Sequence, residues 1–74
     1  MRARSKKMML VDAEASHYIA TRWSERQREF GRLYWMYLTR KRPRPPYTFC
    51  FGAERIATKL ERIWRDYSRP EFEE

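Results

Sequence analysis

The sequence predicts an all-α fold: a long N-terminal helix, a proline-rich extended connector and a shorter C-terminal helix, packed as an antiparallel helical hairpin. Three observations lead there. Ala53, Ile56, Ala57, Leu60, Ile63, Trp64 and Tyr67 recur at the i, i+3, i+4, i+7 spacing of one helical face. Ala15, Ile19, Trp23, Phe30, Tyr34, Tyr37 and Leu38 hold a second such face within residues 12–40. Between the two patterns lie Pro43, Pro45 and Pro46, each without a backbone donor and each disfavouring helix in the residue before it.

Each element has local support. Residues 1–11 are expected to form a basic, flexible arm. Asp12 suits the N-cap of the first helix, and Glu14 suits its first turn, where the helix dipole favours an anion. Ser24-Glu25-Arg26-Gln27 has the form of a capping box, so a break near Trp23–Ser24 is an alternative. The apolar face continues in phase across that point, so one helix over 12–40 is the preferred reading. Gly31 costs that helix about 1 kcal/mol relative to Ala and suggests close packing against a neighbouring element.

Residues 41–52 form the connector, with polyproline II geometry expected at its prolines. Tyr47–Phe51 is aromatic and β-prone, either a short strand without a partner in this chain or an apolar strip laid on the helices. Gly52 can cap the second helix, expected over 53–67, where Glu61 and Arg65 stand four apart in the favourable order. Residues 70–74 make an acidic tail.

A chain of 74 residues is one domain at most, and a core of that size contributes only a few kcal/mol. Extra stability from covalent or metal staples looks absent. Cys50 is the single cysteine and His17 the single histidine, so neither an internal disulfide nor a zinc cluster can be assembled. Oligomerisation or docking on a larger assembly is the expected remedy. Leu33–Leu38 is a run of six bulky residues that covers every side of a helix. A two-helix hairpin hides only one of those sides. Trp23, Phe30, Tyr34, Trp35 and Tyr37 are therefore candidate anchors for a protein partner, since Trp and Tyr dominate interface hot spots.

The formal net charge is +7, with 13 of the 17 basic residues arginine. Residues 1–46 carry 12 basic and 4 acidic side chains, whereas residues 47–74 carry 5 and 6. Arg2, Arg4, Lys6, Lys7, Arg40, Lys41, Arg42 and Arg44 form the basic set that would neutralise phosphates, each contact releasing counterions. Tyr47, Phe49 and Phe51 beside them could stack on bases. Arg55, Lys59 and Arg62 share a face of the second helix, diluted by Glu54, Glu61 and Asp66, and read first as an ordinary salt-bridged face.

Catalysis has little support. His17 lacks an evident nucleophile or carboxylate partner. Cys50 sits among apolar residues that disfavour its thiolate, and Glu25 and Glu29 lie on an arginine-rich face. No glycine-rich phosphate loop occurs, and no cofactor or metal is implied. The leading expectation is a non-catalytic nucleic-acid-binding protein, binding DNA or RNA as a small regulator or as a peripheral subunit of a nucleoprotein assembly. The second is a protein-interaction module, an inhibitor or adaptor of the compact kind that phages and plasmids encode. Peripheral membrane binding ranks third, because acidic residues interrupt the polar faces. A lone cysteine and the lack of a signal peptide or transmembrane stretch suggest the cytoplasm.

Overall fold

A computed structural model describes residues 6–67. Among them are three α-helices and one 3₁₀ turn, with no strand: α1 (Lys6–Arg22), α2 (Glu25–Arg40), the 3₁₀ turn Tyr47–Phe49 and α3 (Ala53–Tyr67). The expected second helix is therefore found at 53–67. The start of the expected basic arm, residues 1–5, and the expected acidic tail lie outside the described residues.

The expected long helix is two helices. The chain leaves helical geometry at Trp23 and Ser24, where Ser24 is extended at φ −70°, ψ 173°. Its backbone N–H and its hydroxyl both donate to Oε1 of Gln27, at 3.1 and 2.8 Å. Arg28 completes the corner. Its backbone N–H donates to the Ser24 carbonyl at 2.8 Å and its guanidinium to the Trp23 carbonyl at 2.6 Å. The Ser24 N–H and the Trp23 carbonyl at the break are thus satisfied locally. The break lets α1 fold back onto α2, and phase continuity across Trp23 could not register that reversal.

The start of α1 also differs from expectation. It begins at Lys6, so part of the expected flexible arm is helical, and Asp12 lies inside the helix rather than capping it. Asp12 instead faces α2, where its Oδ1 accepts a hydrogen bond from Trp35 Nε1 at 2.8 Å.

Helix directions follow from such pairs. Ile19 meets Gly31 near one end of the α1–α2 contact, while Asp12 meets Trp35 and Arg40 toward the other, so these helices run antiparallel. Gly52 lies beside Trp23 and Gln27 where α2 begins, Tyr34 bonds Glu61 farther along, and Trp35 packs edge-on against Trp64, ring centroids 5.8 Å apart. α2 and α3 therefore run parallel, which corrects the expected antiparallel packing of the two segments flanking the connector. The reason is length. α2 spans about 24 Å at 1.5 Å per residue, and the twelve-residue connector, even with its 3₁₀ turn rising about 2 Å per residue, reaches about 34 Å with the rest at 3.1 Å per residue. The chain can return the full length of α2 before α3 starts. It is α1, separate as the alternative break near Trp23–Ser24 would have it, that forms an antiparallel pair with α2.

The core draws on all three helices: Val11, Ala15 and Ile19 from α1, Phe30, Tyr34 and Trp35 from α2, and Ala53, Ile56, Ala57, Leu60 and Ile63 from α3. Each pair of helices is also joined by a polar clip. Asp12–Trp35 joins α1 to α2, Tyr34–Glu61 joins α2 to α3, and Tyr67–Glu14 joins α3 to α1. Burial and the Glu61 contact hold the Tyr34 phenol well above its ordinary pKa. The hydrogen bond to Glu14 does the same, less strongly, for Tyr67. A third helix thus hides aromatic area that a hairpin would leave bare.

Candidate nucleic-acid interface

The connector is fixed to the helices by its aromatic half and presents its basic half to solvent. α2 stops at Lys41, whose backbone is left-handed at φ 57°, ψ 36°. That conformation favours glycine, and a lysine there carries a local penalty. Residues 41–46 follow without regular structure. Pro45 is buried and Pro46 adopts φ −73°, ψ 151°, the polyproline II geometry expected of it.

Tyr47–Phe49 winds into the 3₁₀ turn rather than a strand. It lies on α2 as an apolar strip: the Phe49 ring is 5.8 Å from that of Phe30, and the Tyr47 ring is 6.4 Å from that of Tyr34. Arg26 closes over the turn, its guanidinium 4.3 Å from the Phe49 ring centre and its Nε donating to the Phe49 carbonyl at 3.1 Å. Gln27 Nε2 donates to the Phe51 carbonyl at 2.6 Å. Leu33 and Met36 on α2 face Pro43, Pro45 and Phe49 across a shallow groove edged by Arg42 and Arg44.

The predicted cations of this region are exposed together. Arg40, Lys41, Arg42 and Arg44 all face solvent. Arg40 stands 3.8 Å from Asp12 Oδ2, a loose pairing already shared with Trp35. Arg44 lies 5.7 Å from the Tyr47 ring centre. Among the described residues, Lys41, Arg42 and Arg44 have no carboxylate partner. Lys6 and Lys7 open α1, while Arg2 and Arg4 lie outside the described residues.

The candidate anchors for a protein partner divide differently. Phe30, Tyr34 and Trp35 belong to this chain's own core, at 0, 1 and 5 % exposure. Trp23 and Tyr37 are half-buried against it. The structure thus removes three of the five rings from the surface.

The connector ends in a tight turn. Ala53 N–H donates to the Cys50 carbonyl at 3.3 Å, and Gly52 takes φ +83°. A Cβ on Gly52 would stand 3.2 Å from Gln27 Nε2 and 3.4 Å from the Trp23 ring. Both the angle and the space call for glycine. Phe51, held between these anchors, is 92 % exposed. Beyond the turn, Arg55 and Arg62 are exposed on α3, and Lys59 reaches over the Tyr18 ring of α1 at 5.7 Å. This face borders α1, a juxtaposition with no signal in the sequence because Tyr18 lies far from it along the chain.

Reactive chemistry is sparse. Burial pushes the Cys50 thiol up, opposed in part by the Arg26 charge. His17 is exposed. Among the described residues, no three His, Cys, Asp or Glu side chains gather as a metal site, and no helix is long and apolar enough to cross a membrane.

Fold and surface together define a small all-α protein whose distinctive chemistry is exposed cations beside exposed rings. Comparison with family models, with curated proteins and with solved structures gave no match.

Proposed function

We propose that this chain is a non-catalytic nucleic-acid-binding protein, a small regulator or a peripheral subunit of a nucleoprotein assembly. One observation carries the reading: Lys41, Arg42 and Arg44, without a carboxylate partner among the described residues, stand on a proline-stiffened segment whose far end is fastened to the helices. These are held out, closely spaced and already ordered, so little backbone entropy is lost when phosphates bind. Arginine adds a planar donor set suited to phosphate oxygens.

The reading is tested by mobility-shift titration with DNA and with RNA at several salt concentrations. Affinity should fall steeply with salt, with a log–log slope of about −0.9 for each phosphate neutralised on duplex DNA. The triple variant K41Q/R42Q/R44Q should bind more weakly and show a slope shallower by about 2–3. Absence of any complex with either polymer at low salt overturns the proposal.

A further inference from the structure

Resting on the nucleic-acid reading, we infer that the ligand is single-stranded and that Phe51 is the ring on which one of its bases stacks. A phenylalanine exposed at 92 % is the least buried large apolar side chain among the described residues. Its ring is not among those of the core or packed against it. Its backbone, by contrast, is tightly held: the carbonyl accepts from Gln27 Nε2 at 2.6 Å, and the turn closes through Cys50 and Ala53. A ring on a fixed pedestal loses little freedom when something covers it.

Its surroundings point to the ligand. Phe51 shares a depression with Tyr47, itself 42 % exposed, and with Arg55. Arg55 continues into the next depression with Lys59 and Arg62. On the other side, Tyr47 carries Arg44 above its ring, next to Arg42 on the connector. Cations, interrupted by the Glu54 carboxylate that lines both depressions, thus flank two accessible rings along one surface path that crosses from the connector to α3. Duplex DNA offers phosphates to such a path but keeps its bases stacked on each other. Only an unpaired strand offers base faces as well, and sequence-tolerant binding of single strands combines these two features. The path also explains why a diluted set of cations on α3 can matter: it extends the connector's charge.

The test uses the full chain with an unpaired oligothymidine of about 12 nucleotides and a duplex of equal length, read by fluorescence anisotropy. The single strand should bind more tightly than the duplex. Phe51→Ala should weaken single-strand binding about 10-fold or more and leave duplex binding within about two-fold. Phe51→Trp, which restores an aromatic face, should recover it, and Phe51→Leu, apolar but without one, should not. Because the ring touches no core residue, unchanged thermal unfolding serves as the folding control. Equal binding of both polymers with Phe51→Ala silent overturns this inference and leaves the proposed function standing. Full binding by Phe51→Leu overturns stacking specifically. Failure of wild-type protein to bind either polymer overturns both.

Discussion

Gly31 and Ile19 meet where α1 crosses α2, and nothing larger than hydrogen fits between them. A Cβ on Gly31 would stand 2.9 Å from Ile19 Cγ1 and 3.3 Å from both its Cδ1 and Cγ2. Elsewhere in a helix, alanine would gain about 1 kcal/mol over glycine. Here both residues are buried and the obstructing atom is the middle of a β-branched chain, which cannot swing aside. Gly31→Ala should therefore destabilise the protein by about 1–3 kcal/mol in urea or guanidinium unfolding. In an Ile19→Ala background, where the space is open, the same change should be neutral or stabilising. A destabilisation of equal size in both backgrounds would show that the contact is not the cause.

The clip between α1 and α2 predicts a contrast between two substitutions. Trp35 is almost completely buried and its indole N–H has Asp12 Oδ1 as acceptor. Asp12→Ala leaves that donor unsatisfied and should cost about 1–3 kcal/mol. Asp12→Asn keeps an acceptor oxygen and should cost less. Equal losses from the two, measured by denaturant midpoints, would assign the effect to the Arg40 pairing instead.

Tyr34 makes stability depend on alkaline pH. In the folded chain its phenol is held protonated by burial and by donation to Glu61, while in the unfolded chain it titrates near its ordinary value of about 10. Above that pH the unfolded state releases a proton that the folded state retains. Stability should be flat in this group below about pH 10 and fall as pH rises past it. Tyr34→Phe should remove this slope and cost about 1–2 kcal/mol at neutral pH through loss of the Glu61 bond. Persistence of the full slope in Tyr34→Phe, followed by circular dichroism, would place its origin in another tyrosine.

Lys41 offers the opposite effect. Its left-handed backbone is costly for any residue with a Cβ. Lys41→Gly should stabilise the fold by about 1 kcal/mol, an upward shift of about 4–8 °C in Tm for a chain of this size. The same variant should bind nucleic acid with a salt slope about 1 unit shallower. Stability and affinity should thus move in opposite directions at one position, checked by calorimetry and by binding titration.

What could be read in the sequence is what depends on neighbours along the chain. The pattern from Ala53 to Tyr67 repeats without a miss, and the helix occupies that span. The capping box at Ser24–Gln27 was visible too, but phase continuity from Ile19 to Phe30 outweighed it. Two antiparallel helices can each carry a stripe that happens to align in projection, so phase cannot detect a reversal of direction. Asp12 illustrates the other limit. Its composition and position suited a cap, whereas its actual role depends on Trp35, which only the folded chain brings near. The rings of Phe30, Tyr34 and Trp35 looked surplus because one helix was counted as half of a pair. Once α1 is separate, α2 is sandwiched, and an apolar run that covers every side has neighbours on several of them.

The parallel course of α2 and α3 ties two demands to one stretch of backbone. The same twelve residues must carry the chain home to the start of α3 and must also hold out its unpaired charges. Shortening them would use up the spare length with which the chain reaches the socket at Trp23 and Gln27 that receives Gly52. Added charge there must likewise tolerate a rigid, proline-studded path. Exposed charge and topology are consequently not separate properties of this small protein, and engineering one of them means re-engineering the other.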